Sequence, residues 1–343
     1  MTEGHFAAFP LGMEHESLPI RPEESHITTL GLTRDGQCVF GATGGAACHC
    51  FVSCRKGSIG GVIDLGEIEG ARRVAALAEG TPDTGRRYPR SALLAICEMQ
   101  DGAPAVFRIR YRIPENTIQE PGFSNGLIKQ TCELPDGGAI ASGVQLGNTL
   151  VCAGESKLFL VSATDGTCNR AETIDGPGPA SPILAVSQRE AAWIATDGTF
   201  CRTSKTGRTT RHGCPRELPK ITACTRRGGE ILCASENGEI LGWDIDSGCC
   251  AVRAVLDLLP VQCMAALADG RVYGTCGDGI CHFFRMDSDD TLQPLGSMAS
   301  VIHSIRHGQE FSCALTTPEG VVYLGEHDRG GHLWAFFPPI PLL

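Results

Sequence analysis

A unit of roughly forty residues recurs along this chain of 343 residues, and such a period marks a solenoid, propeller or array. Each unit opens with small and aliphatic residues, reaches an Asp-Gly-type turn, continues into a second apolar run and then enters an aromatic strand. The pattern is visible in ITTLGLTRDGQCVFGATGGAACHCF (Ile27 to Phe51), CMAALADGRVYGTCGDGICHFF (Cys263 to Phe284) and FSCALTTPEGVVYLGEHDRGGHLW (Phe311 to Trp334). All three segments place a histidine just before the aromatic run: His49, His282 and His332.

Seven units can be counted, starting near Ile27, Val74, Ile140, Ile183, Ile221, Cys263 and Phe311. Unit five reads as four short strands, ITACTRR, EILCASE, EILGWDI and CAVRAVL, separated by Arg-Gly-Gly, Glu-Asn-Gly and Asp-Ser-Gly turns. These are hairpin signals, and four-stranded antiparallel units arranged radially make a β-propeller. No window sustains a 3.6-residue period, so helices are not expected. The expected fold is all-β, a seven-bladed β-propeller in one domain spanning residues 1–343. Its last unit, ending at HLWAFFPPIPLL, lacks a fourth strand, which residues 5–12 are expected to supply. Closing the ring in this way removes an exposed sheet edge. Unit two is the least regular, with loops expected around Thr81 to Arg90 and from Glu115 to Asp136.

The segments GWDIDSG (Gly242 to Gly248) and FLVSATDG (Phe159 to Gly166) resemble the third-strand turns of the seven-bladed β-propeller superfamily. The resemblance is architectural and covers almost the whole chain, without the GH…WD signature of WD40 repeats.

Net charge is −10, which argues against nucleic acid as a partner, since a basic domain is expected for that. The N-terminus lacks the basic region and apolar length of a secretory signal, and no apolar run is long enough for a membrane span. A cytoplasmic protein is expected. Eighteen cysteines in so long a chain then read as reduced thiols, most of them in apolar strands (Cys38, Cys97, Cys152, Cys224, Cys233, Cys263, Cys313). Cys48 and Cys54, if on one strand, lie about 20 Å apart and cannot share an ion.

Strand direction alternates within a blade, so first and third strands start on the same side of the disc. Around the ring the third strands start at His49, Ala105, Lys157, Gly198, Glu239, His282 and His332. Residues flanking the first strands add His26, Arg73, Lys220, Gln262 and Glu310, and His303, His307 and His327 fall in the same sector. The segment GEHDRGGH (Gly325 to His332) is the densest polar stretch, and its Gly330-Gly331 pair permits a tight path. A basic run from Cys201 to Arg227 holds eight Lys or Arg and one acid, and reads as a solvated outer edge or an anion-attracting patch. Arg108, Arg110 and Arg112 alternate along one strand and share a blade face.

Imidazoles gathered on one face suit a divalent metal, with His282, His332 and His327 as ligands. The equally weighted alternative is that each histidine bonds a neighbouring blade. The histidine-rich face is loosely similar to that of propeller-fold polysaccharide lyases, including the oligogalacturonate lyase type. That resemblance implies a metal-assisted lyase or hydrolase acting on an acidic carbohydrate or similar anionic small molecule. In it His49 and His26 would serve as ligand or base, and Lys157 and Arg329 as cations neutralising a carboxylate. Arg73, Lys220, Glu239 and Gln262 would bind substrate. The alternative function is a non-catalytic platform for ligands or proteins.

Overall fold

The computed structural model describes residues 4–11, 20–54, 61–83, 90–100, 104–111, 127–135, 138–213, 217–302 and 305–339. They form seven four-stranded antiparallel sheets, each built from strands consecutive in sequence except the last. Blade five shows the plan: Ile221–Arg227, Glu230–Ser235, Glu239–Asp244 and Cys250–Val255 pair in that order. First strands of successive blades touch around the ring and so line its axis, with fourth strands outermost. The blades start at His26, Ala71, Ile140, Leu184, Ile221, Val261 and Phe311, matching the repeat. Among the described residues the helical content is a single 3-10 turn, Pro22–Glu24. No helix there is long and apolar enough to cross a membrane.

The seventh blade takes its outermost strand from the N-terminus. His5–Pro10 pairs antiparallel with His332–Phe337, from His5 opposite Phe337 to Pro10 opposite His332. Phe6 packs on Phe283, Trp334 and Phe336, sealing the junction with aromatic surface. The free edge of this strand is covered where the Ala8 amide meets Ser300 Oγ at 3.1 Å and the Ile302 carbonyl at 3.3 Å. These belong to a short hairpin, Ala299–Ser300 with Arg306–His307, between blades six and seven.

Side chains alternate between the two faces of each blade, so the core is a set of layers between blades. Leu232, Ala234 and Ile240 of blade five meet Met264, Val272 and Phe284 of blade six. Trp193, Trp243 and Trp334 are fully buried within these layers. Each such large side chain contributes about 1.5–3 kcal/mol by leaving water.

Unit two departs from the expected loops. Thr81 belongs to a long first strand, Ala71–Asp83, facing Arg90–Met99, and Leu127–Glu133 is the blade's fourth strand. The pairing runs on through Gly80 opposite Ala92 to Asp83 opposite Arg90. Residues 84–89 and 112–126, including Arg112, lie outside the described residues.

A bulge recurs at the axial strands. In six blades the register between first and second strands shifts by one residue, at Thr28, Ala75, Ala141, Thr222, Gln262 and Ser312. A bulge unpairs backbone groups beside it, and at this buried depth they need other partners. Side chains from the neighbouring blade supply them. The Ile140 amide is accepted by Glu98 Oε1 at 3.0 Å and the Phe311 amide by Gln262 Oε1 at 3.0 Å.

Candidate functional site

Loops that start the first and third strands share one face, and a cleft of about 540 Å³ opens there across blades five to seven. Lys220 and Thr222 line it from blade five, Gln262 and Asp278 from blade six, and Glu310 and Asp328 from blade seven. Behind the Asp328 wall lies a polar network in the GEHDRGGH segment. Glu326 is fully buried and its Oε2 accepts the His332 amide at 3.0 Å and Arg306 Nε at 2.8 Å. Arg306, from the inter-blade hairpin, also grips both Asp328 oxygens at 2.7 and 2.8 Å. Burial and then the neighbouring Glu326 charge push the Asp328 carboxyl up, against the pull of Arg306 and His332.

Next to this wall two imidazoles meet at the seam between blades seven and one. The His26 and His327 rings lie 5.4 Å apart, edge to face. His327 Nδ1 is 3.1 Å from the Ile27 carbonyl, and its amide donates to Glu310 at 2.8 Å. A carbonyl can only accept, so in the neutral ring Nδ1 carries the proton and Nε2 presents its lone pair. The Gly330-Gly331 pair closes the turn that follows, both amides donating to Ser25 Oγ, at 3.1 and 2.9 Å. A Cβ on Gly331 would strike the Ser25 carbonyl oxygen.

The other described histidines do not join this pair. Third strands lie two strand spacings, about 10 Å, outside the axial strands, so their starting residues are spread around a wide circle. His49 sits there between Asp64, 3.2 Å from its Nδ1, and Glu24, 3.4 Å from its Nε2. Burial disfavours its charge, but Asp64, Glu24 and Glu67 outweigh it and hold the imidazole above its ordinary value. His332 Nδ1 lies 3.2 Å from Glu326. His282, Lys157 and Glu239 are half-buried at third-strand starts of blades six, three and five, and Arg329 is exposed. Among the described residues no group of three or more His, Cys, Asp or Glu side chains is placed to hold a metal ion. The trio His282, His332 and His327 is thus not assembled as a ligand set here. His303 and His15 lie outside the described residues.

Two of the residues expected to bind substrate also hold neighbouring blades together. Arg73 pairs with Glu98 at 2.9 Å and donates to the Ile140 carbonyl. Burial opposes the Glu98 charge, but Arg73, the Ile140 amide and Arg72 hold its carboxyl below the usual range. Gln262 lines the cleft, yet its amide is engaged by Phe311 on one side and by the Gly277 carbonyl, 2.8 Å away, on the other. Lys220 stays exposed at the cleft. Arg108 likewise bridges blades, donating to the Thr164 and Thr81 carbonyls at 2.7 Å. In the basic run, Arg202 of a third strand pairs with Glu190, Arg211 of an outermost strand with Asp197, and Arg227 of an axial strand with Glu230 and Asp290. Sequence reading missed Arg306 and Asp278. Arg306 sits in an irregular connection with no repeat register to mark it.

The fold and the face on which the cleft opens define a seven-bladed β-propeller with its polar cleft beside the axis. The sequence matches no protein-family profile and no curated protein. Among solved structures the chain is similar to a catalytically inactive histidine-to-alanine variant of virginiamycin B lyase from Staphylococcus aureus with quinupristin. The TM-score is 0.64 and identity 13%, over 97% of this chain and 100% of that one. The selenomethionine form of the same lyase gives a TM-score of 0.64 at 12% identity, covering 97% and 100%. A streptogramin B lyase structure gives 0.60 at 12%, covering 99% and 100%. At these identities the likeness is one of fold.

Proposed function

We propose that the chain is a lyase-type enzyme that binds a small molecule in the cleft of blades five to seven and uses as its base His327, the chain neighbour of the lining residue Asp328. The carrying observation is the His327 ring, whose Nδ1 is committed to the Ile27 carbonyl so that Nε2 can take a proton. Lys220 is the cation that would polarise a substrate carbonyl, which acidifies the neighbouring C–H. The proton that His327 takes would then pass to the departing group. Elimination then breaks a carbon–heteroatom bond, forms a carbon–carbon double bond and consumes no water. No step is assigned to a metal, because His327 has no second and third ligand gathered around it among the described residues. The three similar structures belong to propeller lyases, which is consistent with this chemistry on this fold.

The cleft favours a different substrate from the acidic carbohydrate expected from sequence. Asp278 and Glu310 line it against Lys220, while Asp328 is already paired with Arg306. Such a balance repels a uronate and admits a neutral or cationic molecule. Quinupristin and an oligogalacturonate are the pair to compare. Turnover of the first to a product of unchanged total mass, lost in His327→Gln with the fold retained, supports the reading. A product heavier by one water makes the enzyme a hydrolase, and undiminished turnover in the variant removes His327 from the chemistry.

A second reading rests on the hairpin beside blade seven, where Val301 and Ile305 are 81% and 87% exposed. Apolar residues so displayed suit a protein partner, and a propeller that only docks proteins would turn over neither compound.

A further inference from the structure

The wall between blades four and five holds two thiols that the proposed chemistry does not use. Cys224 of the first strand and Cys233 of the second stand directly opposite in register. Their sulfurs are 3.0 Å apart. Opposed residues of an antiparallel pair have Cα separations of about 4.5–5.5 Å, inside the range a disulfide spans. Joining them therefore requires no backbone movement.

Access is uneven in a useful way. Blade four has the shortest axial strand, the two residues Leu184–Ala185, whereas its neighbours run over Ile140–Leu146 and Ile221–Arg227. The short strand leaves Cys224 only half covered, while Cys233 is fully buried.

We propose that Cys224 and Cys233 are a reversible thiol–disulfide modification site, oxidised by a small-molecule disulfide. Cys224 as thiolate attacks one sulfur of the reagent, whose S–S bond breaks and releases one thiol. Cys233 then gives up its proton and attacks the Cys224 sulfur, breaking the mixed disulfide and releasing the second thiol. Two protein thiols lose two electrons and two protons, and one small disulfide becomes two thiols. Burial, together with the neighbouring Cys224 and Cys250, keeps the Cys233 thiol protonated, so Cys224 reacts first.

The test incubates the purified full chain, first reduced, with oxidised glutathione, blocks remaining thiols and maps the peptides. The expected result is a linked peptide joining Cys224 to Cys233, reversed by dithiothreitol. In Cys233→Ser the reaction stops at a glutathione adduct on Cys224. Adducts confined to the exposed Cys249, links through Cys250, or both thiols still open to alkylation after native oxidation would each overturn the proposal. Because mapping of the wild-type chain decides the question, a variant that fails to fold does not.

Discussion

Two seams of the ring perform the same structural task with different chemistry. Between blades two and three, the bulged start of the axial strand is held by Arg73 on the Ile140 carbonyl and Glu98 on its amide. Between blades seven and one, the Ile27 carbonyl is held by Ser312 Oγ and His327 Nδ1. In the first seam both charges are consumed by each other and by the backbone. In the second the imidazole gives one nitrogen to structure and keeps the other. An ionisable group at a repeated position thus says little about chemistry. What separates a staple from a candidate catalytic group is hydrogen-bonding capacity left over after the fold has taken its share.

The comparison is tested hardest at His327. Replacing it with Gln is expected to lower turnover roughly 100- to 10,000-fold, the range of a lost general base. The melting temperature should change little, since Ser312 still holds the Ile27 carbonyl. Parallel rate and thermal-melt measurements check this, and a large drop in stability with unchanged turnover would make the two seams equivalent. Arg73→Met should show the opposite pattern, with turnover kept. Stability should fall by about 1–3 kcal/mol in denaturant titration, because Glu98 loses its nearest charge partner and keeps only the Ile140 amide and the looser Arg72 contact. Ser312→Ala comes next, at about 0.5–1.5 kcal/mol for one neutral hydrogen bond, with no change in rate.

The propeller itself was legible because its signal is repeated. Seven copies of an apolar–turn–apolar–aromatic pattern reveal strand starts even where one copy is weak, and the missing last strand pointed to the N-terminus. The site was less legible because strand order hides radius. Third-strand starts such as His49 and His332 align in sequence with one another, but two strand spacings carry them away from the axis. The first-strand flanks Lys220 and Gln262 do reach the cleft, and so does Glu310. The fate of Arg73 and Gln262 depended on the bulge, which leaves backbone groups unpaired and draws neighbouring polar side chains into service. Nothing in local composition marks that one-residue shift.

His49 offers the finest test, because it is ionisable, repeat-aligned and flanked by carboxylates away from the cleft, with Nδ1 on Asp64 and Nε2 3.4 Å from Glu24 without a hydrogen bond. Its folded-state value lies above the ordinary 6.5, since Asp64, Glu24 and Glu67 outweigh burial. The charged ring therefore stabilises the fold fully below the ordinary value, and that contribution is lost as pH rises through the higher folded value. The stability difference between the wild type and His49→Gln should shrink across that window, by about 1 kcal/mol, the scale of a single charge pair. Urea titrations at steps between pH 5 and pH 9 would measure it. A difference that stays flat would mean that Asp64 and Glu24 hold a neutral ring. A pH-dependent change in turnover without one in stability would return His49 to the site and overturn the distinction between engaged and available imidazoles.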